Sequence, residues 1–324
     1  MFVGRESMTQ PVVRQKGQFI FTGWLTIKLI AFAVILLPLA TWLPAAAQSG
    51  EPALSDATTA PDTVVLPPVQ MHIPMVFGQS KTVMPCPETS TNAYGTVSIL
   101  GRPRNPNPVP TFDPDLNLQV RGYQRTTGLL ELIAIHGPTD DDAPQLASLF
   151  RPARVPRLLA LYQVRDWDWA CCPGGRLGQP IEQPEVTLVE METAPGELIY
   201  PPRRNMPIHA PFVAMVLYAE TYRITFTYTR DDSPAVGYVV HLEDFCVDPT
   251  LLALYEQMHR EGRYHLPALR LSDPIGTAHS NSILVAVRDT GSFMDPRSGK
   301  DWWQEVVRAR LAAESAAPAG EPTP

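Results

Sequence analysis

Paired acids at strand spacing are the first residues in this 324-residue chain that can do chemistry. Asp166 and Asp168 lie two apart in the run LLALYQVRDWDW at 158–169. On a strand, residues i and i+2 share a face, about 7 Å apart. Two carboxyls at such a separation can act as general acid and base on a glycosidic bond. Glu190 and Glu192 repeat the pattern in the run EVTLVEME at 185–192. Trp167 and Trp169 fall on the opposite face of the first run. Two indoles beside carboxylates make a platform for a sugar ring, or else pack under a neighbouring loop. The acids at 140–142 read as a helix cap ahead of Pro144, because a calcium loop alternates its ligands around a glycine and this run does not. No nucleophile elbow, phosphate-binding loop or H-E-x-x-H motif occurs.

The formal charge is −7, which disfavours nucleic acid as a partner, since that needs a basic footprint. The four cysteines are Cys86, Cys171, Cys172 and Cys246. Their even number and the absence of a C-x-x-C pair favour disulfides over a metal site. Neighbours seldom bond to each other, so the expected pairing is Cys86 with one of Cys171 and Cys172, and Cys246 with the other.

The elements that must position these residues begin after a leader. Residues 1–47 combine basic residues, an apolar run at 29–43 and Ala45-Ala46-Ala47. That order reads as a secretory signal peptide, with an uncleaved membrane anchor as the alternative. The protein is therefore expected to be secreted or extracytoplasmic, touching membrane only through this segment. Residues 48–64 lack large apolar side chains and read as a flexible linker. Residues 65–69 suggest an edge strand, and the proline-rich 101–114 an extended surface segment. Strands are expected at 116–120, 129–135, 158–169, 185–192, 207–217, 222–229, 238–242 and 283–287. A helix is predicted over 251–260, started by Asp248-Pro249, with Leu251, Leu254, Tyr255 and Met258 on one face. A closing helix from 301 to about 313 follows, anchored by Trp302-Trp303, and the last residues, ESAAPAGEPTP, should be disordered.

The C-terminal part carries a resemblance. Pro207-Ile208 and Ala210-Pro211, then 237–242 (GYVVHL), Asp273-Pro274-Ile275-Gly276, and Val287-Arg288-Asp289-Thr290-Gly291 with Asp295-Pro296 occur in this order. Together they resemble the lysostaphin-type zinc endopeptidases of bacterial cell walls over about 194–297. The resemblance implies an antiparallel β-sandwich and a zinc held by an early His-x-x-x-Asp and by His-x-His on the last strand. Here Ser282 and Leu284 stand at the two His-x-His positions, and residues 176–206 contain no histidine. Leucine cannot ligate zinc and serine does so poorly, so no metal and no cofactor are expected. His209, His241 and His279 remain as candidate binding residues, without a ligand spacing that joins them.

The reading is a mainly β chain. A β-rich module of unknown function spans 65–193, a degenerate lysostaphin-like β-sandwich 194–303, and a helix end with a tail 304–324. The expected function is an exported, non-catalytic envelope protein that binds wall glycan, wall peptide or a partner protein. The alternatives are a wall hydrolase with a relocated site, built on acids such as Asp166, Asp168, Glu190 and Glu192, and a structural surface protein without a ligand.

Overall fold

The last long strand organises the molecule. A computed structural model describes residues 82–104 and 109–316; the expected leader, linker and edge strand at 65–69, and residues 317–324, lie outside the described residues. In chain order the elements are β1 (Gly95–Ser98), α1 (Leu118–Arg121), β2 (Tyr123–Thr126), β3 (Leu158–Asp168), β4 (Arg176–Pro180), β5 (Leu188–Glu192), β6 (Leu198–Ile199) and β7 (Ala214–Glu220). Then follow β8 (Arg223–Thr227), β9 (Tyr238–Glu243), β10 (Cys246–Val247), α2 (Pro249–Arg260), β11 (His265–Leu269) and β12 (Gly276–Thr277). The chain closes with β13 (Ser282–Asp289), β14 (Ser292–Met294), α3 (Gly299–Trp302) and α4 (Gln304–Ala316).

The mainly β, antiparallel class read from the sequence is the class of the structure. The large sheet runs β1-β11-β7-β8-β9-β13-β5-β3-β2, with β14 on β13 and β4 on β3; β10-β12-β6 form a small second sheet. Strand β13 pairs with β9 along one side. Its other side is shared by β5, opposite residues 282–285, and β14, opposite residues 287–289. Strands from before and after residue 193 therefore lie in one continuous sheet.

Burial on both faces explains why β13 reads as a nearly continuous apolar run instead of alternating. Ile283, Val285 and Val287 enter the main core, which also holds Leu146, Leu149, Phe150, Trp302 and Trp303. Leu284 and Ala286 enter a smaller cluster with Leu118, Val164, Leu188 and Phe293. Helix α2 starts where the sequence places it, since Asp248 accepts hydrogen bonds from Thr250 N and Leu251 N. It buries Leu251, Tyr255 and Met258, while Leu254 is half-buried. Trp302 and Trp303 are fully enclosed, their Nε1 atoms donating to Asp295 O and Pro296 O.

Several expectations are corrected. Residues 116–120 do not form a strand: Asn117 accepts a hydrogen bond from Gln119 N and starts the single turn α1. The run 129–135 is not a strand either. Leu129 and Leu130 are exposed, and its one ladder contact is an isolated bridge from Ile133 to Ser298. The expected helix after Asp140 begins later, as a 3-10 turn at Leu146–Leu149, because the Asp140 carboxylate instead closes a turn on Asp142 N. Helix α4 continues to Ala316, into the stretch expected to be disordered.

The cysteine pairing is corrected too. Cys86 bonds to Cys246, with Cα atoms 5.3 Å apart, and Cys171 bonds to Cys172. Met84 N donates to His279 O, which lays residue 86 beside the small sheet that contains Cys246.

Candidate functional site

Three strands set the candidate site by register alone. Leu284 on β13 lies opposite Glu190 on β5 and opposite Glu243 on β9. Directly paired residues point to the same face, so the two glutamates flank Leu284 on the smaller-core side of the sheet. With two interstrand spacings between them, their Cα atoms are about 10 Å apart. Arg223 on β8 continues the row beyond Glu243. Ser282, two residues before Leu284, shares this face.

Each carboxylate is held by neutral donors. Ser282 Oγ donates to Glu190 Oε1 at 2.6 Å, and the Tyr162 hydroxyl donates to Glu190 Oε2 at 3.1 Å. Gln119 Nε2, from α1, donates to Glu243 Oε2 at 2.7 Å and lies 3.2 Å from the Tyr123 hydroxyl. The rings of Tyr123 and Tyr162 meet edge to face at 5.5 Å, a preferred geometry for an aromatic pair. The face thus carries two acids, two phenols and an amide around an apolar floor, Leu284.

The two acids differ in environment. Glu190 is half-buried, whereas Glu243 is 3% exposed. Burial raises the Glu243 pKa above the ordinary carboxylate value; Gln119, Arg223 and Tyr123 offset this only in part. Arg223 Nε lies 3.8 Å from Glu243 Oε1 and makes no hydrogen bond among the described residues. Arg223 is instead paired with Glu220. Burial likewise raises the phenol pKa values of Tyr123 and Tyr162, with Glu243 and Glu190 respectively adding to the effect. Both phenols are therefore neutral hydrogen-bonding groups at neutral pH.

The structure distributes the remaining sequence candidates. His241 is on this face but buried below it, with Nδ1 2.8 Å from Thr225 Oγ1 and its ring stacked on Phe293. Burial, then Arg288 and Arg121, push its pKa well below the usual imidazole value, so it is neutral. His279 Nε2 lies 2.9 Å from Asp244 Oδ1, at the edge next to Glu243. His209 is exposed on a separate loop that bridges to Phe212. Among the described residues, no three His, Cys, Asp or Glu side chains gather as a metal-holding group.

Trp167 and Trp169 lie near the β3–β4 turn, ring centroids 6.2 Å apart. Trp167 donates to Gly174 O, and Trp169 is 47% exposed. Asp166 sits 3.8 Å from Arg121, and Asp168 pairs with Arg176 at 3.1 Å. Each acid faces a different base, although Arg121 is bonded more closely to Asp115, at 2.6 Å; the pairing of β3 with β4 also shifts register between Arg165 and Trp167. Glu192, opposite Ser282, pairs with Arg157. Sequence reasoning singled out Glu190 but missed Glu243, Tyr123, Tyr162 and Gln119. The signal for Glu243 was an acid ending the apolar run YVVHL; the others depend on strand order, which no local pattern carries.

No family model, no curated protein and no solved structure matches this chain.

Proposed function

We propose that this is an exported, non-catalytic protein of the cell envelope that binds a wall glycan or wall peptide on the face formed by Tyr123, Tyr162, Glu190 and Glu243. On this reading it is a degenerate relative of the lysostaphin-type peptidases. The observation that carries the reading is local. At the two positions where those enzymes place His-x-His, Ser282 is hydrogen-bonded to Glu190, and Leu284 forms an apolar floor between two carboxylates. Carboxylates and phenols accept hydrogen bonds from the hydroxyl, amide and ammonium groups that wall fragments display, and phenol rings stack on sugar faces. The test is calorimetric titration of the full chain with muropeptides, together with analysis of the fragments afterwards. The expected result is binding without cleavage, weakened about tenfold or more by Tyr162→Ala, as for a lost hot-spot aromatic. Muropeptide cleavage accompanied by one tightly held zinc per chain overturns the reading.

The buried state of Glu243 favours one second reading. A carboxyl whose pKa is raised by burial is suited to general-acid work, with Glu190 across Leu284 as its partner base. Glycan turnover abolished by both Glu243→Gln and Glu190→Gln would establish that hydrolase; absence of turnover by the unaltered chain removes it.

A further inference from the structure

A second site stands on different residues and is independent of the reading above. Residues 101–104, the last two residues of α2 and residues 262–264 after it enclose a cleft of about 650 Å³. Its lining contains Arg102, Arg104, Arg260 and Arg263, with His259 and Tyr264, and no acidic residue among the described residues. Four guanidinium groups around one cleft are notable in a chain whose formal charge is −7.

Two of the four are structural. Arg263 is buried and donates twice to Asp232, at 2.9 and 2.6 Å. Arg104 pairs with buried Asp113, and its backbone N donates to Asp232. These pairs fix the walls and neutralise their own charge. The other two are available. Arg102 is exposed and has no carboxylate partner among the described residues. Among the described residues, Arg260 pairs only with Glu256, 3.8 Å away, with both side chains largely exposed; such a pair is screened and weak.

The backbone is shaped to keep these charges effective. The C-terminal carbonyls of a helix carry partial negative charge that repels anions. Here Gln257 O and His259 O accept from Glu261 N, His259 O also accepts from Gly262 N, and Met258 O accepts from Arg263 N. Gly262 and Arg263 take positive φ values, 92° and 64°, to make that turn. A non-glycine residue held there by a bidentate ion pair is the kind of strained position that recurs at ligand clamps. Tyr264, 64% exposed, adds an open ring at the mouth.

We propose that this cleft binds a phosphate group. Two exposed guanidinium forks and an imidazole offer more donors than the two oxygens of a carboxylate can use, and match the oxygens of a phosphate. The group arrives either as the free ion or as an ester on a larger molecule.

The test is titration calorimetry on the full chain at low ionic strength, with inorganic phosphate, glycerol phosphate and acetate as probes. Single-site binding of phosphate is expected, weakened by added salt. The double variant Arg102→Ala/Arg260→Ala should bind about tenfold more weakly or worse, through loss of charge-assisted hydrogen bonds. Arg308→Ala, an exposed arginine elsewhere, should bind as the unaltered chain does. Tighter binding of the ester assigns the site to an esterified phosphate, and equal binding assigns it to the free ion; both fulfil the proposal. No binding at millimolar phosphate, acetate bound as tightly as phosphate, or full affinity in a double variant that melts normally overturns it.

Discussion

Glu243 is expensive to keep. Its folded pKa lies above its unfolded value of 4.5 because burial disfavours the anion. A group raised in this way contributes its full stability below about pH 4.5, where both states are protonated. That contribution is lost as pH rises through the folded pKa. Glu243→Gln should therefore raise the urea midpoint at pH 7 and leave it nearly unchanged at pH 4. An equal shift at both pH values would show that the gain is packing and not charge. Acids retained against their own stability cost concentrate at functional sites, which is why Glu243 is preferred over the exposed Asp166. Asp166 and Asp168 were legible in the sequence as a spaced pair. What the spacing omitted was the bases: Arg176 pairs with Asp168, while Arg121, held chiefly by Asp115, lies 3.8 Å from Asp166.

Elements with strong local signals were legible, and those decided by a single side chain were not. Helix α2 has a capping Asp, a proline in its first turn and one apolar face. Strands β3 and β9 fall within one residue of the expected bounds, whereas β8 is shorter than expected and buried along most of its length, and β13 is longer. Residues 116–120 alternate like a strand, yet one hydrogen bond from Gln119 N to the Asn117 side chain turns them into α1. That turn delivers Gln119 to Glu243, so a misread element concealed a site residue. The adjacent indoles were expected to anchor the C-terminal helix, and both are enclosed in the main core. Trp303→Ala removes a fully buried side chain and its bond to Pro296 O. It should cost about 3–5 kcal/mol, read as a lowered denaturation midpoint, with Trp303→Phe costing less. A midpoint within error of the unaltered chain would mean that α4 is not held by this contact.

At the scale of the molecule, long-range order was the least legible part. Nothing local shows that β5 lies between β13 and β3, or that β1 pairs with β11 near the other end of the chain. Cysteine pairing was misjudged for the same reason. Spacing excludes a partner only weakly, whereas the placement of residue 86 beside β10 decides it. The Cys86–Cys246 bond spans 160 residues, and a link closing a long loop contributes about 2–4 kcal/mol. Cys86→Ala/Cys246→Ala should lower the melting temperature, and a reductant should lower that of the unaltered chain but shift the double variant much less. A double variant that melts with the unaltered chain would show that the bond adds nothing to the fold.

The same bond decides where the protein takes a mechanical load. A pull on the chain ahead of Cys86 reaches Cys246 through a covalent link and enters the body at β10, beside α2. Strand β1, which would otherwise be peeled from β11 one hydrogen-bonded pair at a time, lies behind that link and is shielded from the force. With the bond reduced, the pull is resisted first by the hydrogen bonds of Ser90, Asn92 and Tyr94 to Thr250, Asp248 and Pro274, and once these give way unzipping can begin at β1, the edge of the large sheet.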